Sequence, residues 1–312
     1  MTTLRRVITV PLVTTVMVLM LALGPLLLLG TGVVGLLLRS SRPPRTVALT
    51  MAYAVIELRT LLQVLRGNRD CDQLMRDILV SAHLAMRRIL DVTVELESGS
   101  ATADTIPRDQ PLIVLSRHCG PGDSVVVAWL LAVEYRLQLR IVLKGLLRCE
   151  PVLDLAGGWG CLCFLRRGER ARRQIRSLAA SLEGGQAMLL FPEGANFSWP
   201  RWRSAITRLR STGGLRAARD ALRQSHTLPP RSGGASAAVA GAPKANLLVL
   251  AHNGFCADGR ARPWWQVPVH RQLLIRTVVV PAGEVPSPER LEPWLEQTWS
   301  RVDAWVAAHA EQ

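Results

Sequence analysis

Apolar residues dominate the N-terminal part of the chain. No charged residue occurs from Val7 to Leu38, a run longer than the roughly 20 residues that cross a bilayer core. A signal peptide has a shorter apolar region and a small-residue cleavage site, and no clear site follows this run. We therefore predict a retained membrane anchor that bends at Gly24-Pro25 or among the glycines at 30–35.

The charges around this anchor leave its topology open. Arginines flank it at positions 5 and 6 and again at 39, 42 and 45, so the positive-inside rule does not set its direction. A helical hairpin that returns to the same membrane face fits both clusters. The second apolar run, residues 47–65, contains Glu57 and Arg59. It predicts an amphipathic helix in the membrane interface, and completion of a hairpin is the alternative.

Short apolar runs alternate with helix-like segments in the rest of the chain. An amphipathic helix is predicted at 68–90, and the main body begins near Ile106. We predict strands at 112–116, 139–143, 161–165, 187–191, 246–251 and 273–280, and helices at 124–135, 169–182, 215–224 and 288–308. Residues 226–244 are expected to form loop or weak helix. The alternation predicts an α/β fold with a mixed, largely parallel sheet covered by helices.

The same pattern divides the chain into four regions. Residues 1–45 form the membrane anchor, and residues 46–105 hold the interfacial and amphipathic helices. Residues 106–286 form the α/β domain, and residues 287–312 form a C-terminal amphipathic helix. The length of 312 residues suits one sizeable core with additional helices.

The composition favours anionic partners. The net charge is +14, from 38 Lys and Arg against 24 Asp and Glu, which suits an anionic lipid surface, a phosphorylated substrate or nucleic acid. Nucleic acid is the weakest of these, because the sequence has no zinc finger, RNP-like aromatic strand or heptad-bearing basic region. The six cysteines match no zinc-ligand spacing, so we expect reduced thiols and no metal.

The segment LSRHCGPGDS carries the main candidate chemistry. His118 follows the predicted strand at 112–116, and Asp123 precedes a predicted helix, with Gly-Pro-Gly between them. Such a turn allows the Asp123 carboxylate to fix the tautomer of the imidazole, whose other nitrogen is then free to remove a proton. The alternative is a solvated loop histidine beside an ordinary helix N-cap.

No serine nucleophile accompanies this pair. The sequence has no G-x-S-x-G elbow, and Ser116 falls on the predicted strand. A base without a nucleophile favours direct attack of an acceptor hydroxyl on a thioester, without an acyl-enzyme.

Two further segments follow predicted strands. Glu193 and Gly194 come just after the strand at 187–191, where a carboxylate could hold a basic side chain or a substrate hydroxyl; an ordinary turn is the alternative. Arg166 and Arg167 follow the strand at 161–165, where guanidinium groups grip phosphate; a surface charge cluster is the alternative. A weaker candidate is an interfacial membrane patch of Trp199, Arg201, Trp202, Arg203, Arg208 and Arg210.

Together, these motifs resemble the glycerolipid (lysophospholipid) acyltransferase family, typified by bacterial 1-acyl-glycerol-3-phosphate acyltransferases. The similarity covers residues 107–281, with four motifs in family order. Residues 118–123 match the family's H-x-x-x-x-D, which implies that His118 is the general base and Asp123 its orienting carboxylate. Residues 164–167 are similar to the second block, which implies that Arg167, or next Arg166, contacts the acceptor phosphate.

The resemblance extends to two later blocks. Residues 191–194 match F-P-E-G, which implicates Glu193 and Gly194 in acceptor binding. The Leu-Pro-Pro-Arg sequence at 228–231 is similar to the fourth, proline-containing block, which implicates Pro230 and Arg231.

The chain departs from the family pattern at three positions. Ala195 stands where a threonine usually follows F-P-E-G, and Asn196 takes the next, often polar or basic, place. Gly160 lies one position further from Arg167 than the second block usually allows. The loss of the threonine hydroxyl bears on the identity of the acceptor and not on the reaction.

The resemblance implies a membrane-associated O-acyltransferase. It would move a fatty acyl group from acyl-CoA or acyl carrier protein to the hydroxyl of a lysophospholipid or glycerophosphate-type acceptor, at the cytoplasmic face of the cell membrane. No cofactor or metal is expected beyond the acyl-thioester co-substrate, and no nucleic acid is an expected partner. The alternatives are a non-catalytic protein that binds anionic lipid on the same scaffold, and a lipid thioester or ester hydrolase.

Overall fold

A computed structural model describes residues 2–166, 168–212, 214–254 and 267–309. The chain forms two compact units. The first contains Met1–Thr93, Leu143–Arg166 and Arg262–Arg271, and the second contains Val94–Val142, Arg167–Ala261 and Gln272–Gln312.

The first unit begins with four helices. They are α1 (Thr2–Ala22), α2 (Gly24–Leu37), α3 (Arg42–Leu65) and α4 (Cys71–Ala85), and a π-helical turn (Met86–Leu90) follows α4. The break between α1 and α2 falls at Leu23, because Pro25 lacks the N–H that would continue the α1 hydrogen-bond ladder. The bend predicted at Gly24-Pro25 is therefore confirmed.

Helices α2 and α3 lie antiparallel. Gly24 contacts Met51, and Gly35 lies against Pro44 and the carbonyl oxygen of Ser40. The start of α2 therefore meets the middle of α3, and the end of α2 meets the start of α3. The α1 window Arg5–Ala22 and the whole of α3 are long and apolar enough to cross a membrane, whereas α2 is shorter. The helix predicted at 47–65 begins earlier, at Arg42, and packs on α2; its placement in the membrane interface or in a membrane hairpin stays a prediction.

The rest of the first unit closes around α1 and α3. It contains a 3-10 turn (Gly145–Cys149), α6 (Pro151–Ala156) and β4 (Leu162–Leu165). The carboxylate of Asp154 pairs with Arg5 and Arg6, and the Arg6 Nε lies 2.9 Å from its Oδ2. Cys71 and Cys161 form a disulfide, which corrects the expectation of reduced thiols for these two residues, since the fold brings the start of α4 beside β4.

The second unit is built on a sheet in the order β1-β7-β6-β2-β5-β3. Its strands are β1 (Val92–Leu96), β2 (Leu112–Ser116), β3 (Gln138–Lys144), β5 (Gln186–Leu190), β6 (Asn246–His252) and β7 (Arg271–Val280). β2 pairs in parallel with β5 and β6, β3 pairs in parallel with β5, and β7 runs antiparallel to β6. The predicted α/β fold with a mixed, largely parallel sheet is therefore confirmed.

Helices accompany this sheet. They are α5 (Pro121–Trp129), followed by a π-helical turn (Leu130–Glu134), then α7 (Glu169–Ala180), α8 (Trp199–Ser211), α9 (Leu215–Leu222), α10 (Ser232–Gly241) and α11 (Leu291–Ala308). A 3-10 turn (Ala282–Glu284) follows β7. α11 packs on β6 through an apolar cluster of Val249, Ala251, Val302, Trp305 and Val306.

Residues 226–244, for which loop or weak helix is predicted, contain the helix α10. α10 packs closely on α7, and a Cβ at Gly241 would collide with the Arg176 carbonyl. Small residues permit this close approach of two backbones, so α10 is stabilised by packing and not by its intrinsic helix propensity.

Candidate active site

The central strands deliver two of the sequence motifs to one edge of the sheet. Leu115 of β2 pairs in register with Leu190 of β5, so the residues that follow these strands emerge side by side. There the His118 ring stacks on Phe191, with ring centroids 4.4 Å apart and an interplanar angle of 28°. The H-x-x-x-x-D and F-P-E-G segments therefore meet directly.

The backbone of His118 is held from both sides by the F-P-E-G loop. Its N–H donates to Glu193 Oε1 at 3.0 Å, and its carbonyl accepts from the N–H of Phe197 at 2.9 Å. Two hydrogen bonds and one ring contact thus fix where the imidazole stands.

Glu193 lies at the centre of this arrangement. It is 1% exposed, and its second oxygen, Oε2, accepts from the N–H of Leu228 at 2.9 Å. One carboxyl group thus ties the histidine loop to the proline-containing block. Burial raises the pKa of Glu193 to about 7, while the Arg117 guanidinium and the two backbone N–H groups oppose that rise.

Asp123 is buried in the first turn of α5, with 1% of its surface exposed. The structure corrects the helix start, since α5 begins at Pro121 and Gly120 takes the cap position. Proline suits the first turn of a helix because its fixed φ is already helical. Asp123 is therefore not the N-cap. Beside it, the Ser124 Oγ lies 3.4 Å from the His118 Nδ1, a contact that the sequence pattern did not indicate.

Arg117 is the main residue of this edge that sequence reasoning missed. It is 2% exposed, and its Nη1 donates to the carbonyls of His252 at 2.8 Å and Asn253 at 3.0 Å. Its Nη2 donates to the carbonyl of His226 at 2.8 Å. The guanidinium thus joins the ends of β2 and β6 to the loop before α10. Its position beside His118 was the only sequence signal available.

His252 is a buried neighbour of Arg117. Its Nε2 lies 3.0 Å from the Arg117 carbonyl oxygen. Burial and the Arg117 charge lower the pKa of His252 to about 3, so this imidazole is neutral at physiological pH.

The proline-containing block packs against F-P-E-G. The N–H of Arg231 donates to the carbonyl of Pro192 at 2.9 Å, and Pro230 is half-buried. The Arg231 side chain lies over Gly194, where an added Cβ would stand 3.5 Å from it. Gly194 has a φ of 69°, the left-handed region that favours glycine. Three of the four predicted motifs thus adjoin one another in the second unit.

The second motif, with Arg166 and Arg167, is described only in part. Arg166 follows β4 in the first unit, and Arg167 lies outside the described residues. The role of this pair at the acceptor phosphate therefore stays a prediction. Among the described residues, no group of three His, Cys, Asp or Glu side chains could hold a metal ion.

Comparison with known proteins identifies the class. Residues 100–244 match the family model described as Acyltransferase, and this segment contains the histidine, F-P-E-G and proline-containing motifs. Over this segment the chain is similar to the acyltransferase family.

One solved structure shares the fold. It is the crystal structure of the 1-acyl-sn-glycerophosphate acyltransferase PlsC from Thermotoga maritima, with a TM-score of 0.59 and 17% sequence identity. The match covers 85% of this chain and 95% of the other. No curated protein matches the chain in sequence.

Proposed function

We propose that this protein transfers a fatty acyl group from an acyl thioester to the hydroxyl of a lysophospholipid or glycerophosphate-type acceptor at a membrane. The observation that carries this proposal is the fixation of His118 by the F-P-E-G loop, through Glu193, Phe197 and the Phe191 ring. These contacts hold the imidazole in one position, and such positioning of a base suits general-base catalysis.

The chemistry requires no covalent intermediate. The His118 imidazole removes the proton of the acceptor hydroxyl, whose oxygen attacks the thioester carbonyl carbon. The tetrahedral intermediate then expels the thiolate, which takes the proton back from the imidazolium, so ester and free thiol are the products. Asp123 orients the imidazole and stabilises its charged form. The backbone N–H groups of Gly120 and Gly122 would stabilise the oxyanion, whereas the N–H of Gly194 already donates to the Phe191 carbonyl at 2.9 Å.

The N-terminal helices support a membrane location for this reaction. α1 and α3 are long and apolar enough to span, and many of their apolar side chains are exposed, among them Ile8, Leu12, Leu19 and Val55. Together with the net charge of +14, this favours attachment to an anionic membrane with the active site on its cytoplasmic face. The donor is acyl-CoA or acyl carrier protein, and Arg167 or Arg166 would contact the acceptor phosphate.

The decisive assay compares transfer with its two alternatives. The full chain in mixed micelles is given isotope-labelled acyl-CoA with a panel of lysolipids, and the products are read by mass. We expect a labelled diacyl lipid only when an acceptor is present. Labelled free fatty acid at the same rate with and without acceptor would indicate a hydrolase. Binding of lysolipid with no product from either acyl-CoA or acyl carrier protein would indicate a non-catalytic binding protein.

A further inference from the structure

A pocket of about 290 Å³ opens beside the F-P-E-G loop in the second unit. This volume is at the small end of the range for ligand sites. Arg201, Ser204 and Arg208 of α8 line this pocket, and Arg231 lines it as well. Ala195 also lines the pocket, so the residue directly after F-P-E-G contributes no hydroxyl there.

The charge of this pocket is strongly positive. Among the described residues, three arginines line it, and the only acidic residue in its lining is Glu193. Both carboxyl oxygens of Glu193 already accept backbone N–H groups. Within the described part of the chain, none of the three arginines forms an ion pair with a carboxylate.

Two of these cations are close enough to affect each other. Burial lowers the pKa of Arg231, and the charge of Arg208 lowers it further. Like charges that approach without an intervening acid repel each other, and a bound anion would relieve that repulsion.

The spacing of the arginines along α8 determines which of them line the pocket. Arg201 and Arg208 are seven residues apart and therefore lie on one face of the helix. All four arginines of α8 are exposed, but Arg203 and Arg210 do not line the pocket. The four arginines that the sequence grouped as one interfacial patch thus divide into two pairs.

We propose that this pocket binds a phosphate group of a substrate, with Arg201, Arg208 and Arg231 as its cationic contacts and Ser204 as a hydroxyl donor. The proposal rests on the proposed acyl transfer, whose acceptor and CoA donor both carry phosphate. Arginine suits this task because its planar donors match phosphate oxygens. The binding of phosphate by α8 compensates for the missing hydroxyl at Ala195.

The test uses Arg208→Gln in the full chain, because the Arg208 guanidinium donates no hydrogen bond within the described residues. Arg201 donates to the Asn196 carbonyl, so its loss would also disturb a loop. Arg210→Gln is the matched control, with the same charge change on the same helix. Binding is measured by calorimetry in detergent, without turnover, using two pairs of probes. Lysophosphatidic acid is compared with neutral monoacylglycerol, and coenzyme A with dephospho-coenzyme A.

We expect Arg208→Gln to weaken the binding of one phosphorylated probe by about 10- to 100-fold, as for a lost charged hydrogen bond, and to leave its less phosphorylated partner unchanged. Loss confined to lysophosphatidic acid assigns the site to the acceptor, and loss confined to coenzyme A assigns it to the donor. If neither probe binds more weakly than to the Arg210→Gln control, the proposal is wrong. Absence of acyl transfer with this binding pattern intact would instead overturn the proposed function.

Discussion

The Glu193→Gln substitution tests whether Glu193 positions the histidine or contacts the acceptor. Glu193 offers two oxygens to two buried N–H groups, those of His118 and Leu228. Glutamine has almost the same shape but only one oxygen, and its NH₂ group must face one of these donors. One buried N–H therefore loses its partner.

The size of the effect follows from that lost bond. An unsatisfied buried N–H costs about 1–3 kcal/mol, so the free energy of unfolding should fall by that amount. At about pH 4, Glu193 is largely neutral in both the folded and the unfolded chain, because its pKa is about 7 when folded and 4.5 when unfolded, and the comparison with neutral glutamine then isolates the hydrogen bond. A shift of the His118 loop should also lower kcat, by about tenfold for each 1.4 kcal/mol of lost transition-state stabilisation.

The assay combines thermal unfolding at about pH 4 with steady-state acyl transfer. Glu183→Gln is the control, because Glu183 is exposed and should change neither quantity. We expect Glu193→Gln to lower kcat with little change in the acceptor KM. An unchanged kcat with a raised acceptor KM would refute the positioning role and restore acceptor binding as the function of Glu193.

Two more predictions concern the carboxyl groups of the site. Asp123→Asn keeps the shape of a buried side chain but cannot stabilise an imidazolium. We therefore expect kcat to fall by about 100-fold or more with lysolipid binding retained, and an unchanged kcat in the steady-state assay would contradict the role of Asp123. The pKa of Glu193 is raised from 4.5 to about 7, so its contribution to stability is complete below pH 4.5 and is lost as the pH rises through 7. Wild-type stability should therefore fall by about 3 kcal/mol relative to Glu193→Gln between pH 4.5 and 8, and a parallel pH dependence of the two proteins in thermal unfolding would show that Glu193 does not titrate in this range.

The buried strands of the second unit could be predicted because their pattern is local. β2 has the predicted bounds, Leu112–Ser116, and β5 and β6 differ from prediction by a residue at their ends. A continuous apolar run between turn residues is the expected form of a strand buried on both faces. β1 was missed, since in Val92–Leu96 only Val92 is buried and its alternation is too short to stand out.

Other features depend on contacts between distant segments. α10 is stabilised by its packing on α7, because its glycine- and alanine-rich sequence by itself indicates only loop or weak helix. Arg117 bonds carbonyls that lie 109 to 136 residues further along the chain, which no spacing rule reveals. The alternative that Asp123 is an ordinary N-cap is wrong, because α5 begins two residues earlier, at Pro121.

In the site, too, the local motifs could be predicted from the sequence, and the contacts between distant segments could not. The order of the motifs indicated that His118, Glu193 and Arg231 belong to one site, and the structure brings their segments together. The sequence did not indicate how Glu193 acts, because its two bonds are to backbone N–H groups of segments distant in sequence. Every residue type except proline has a backbone N–H, so a sequence motif does not indicate which N–H group a carboxylate accepts from.

His118→Ala is the most direct test of the central claim, that His118 is the general base of acyl transfer. The wild-type chain and the variant are given labelled acyl-CoA and lysolipid, and the diacyl product is quantified by mass. Lysolipid binding and the thermal midpoint are measured alongside, to show that the variant is folded. We predict a loss of product formation of at least about 100-fold with binding retained. Product formation at the wild-type rate by a folded His118→Ala variant would contradict the mechanism.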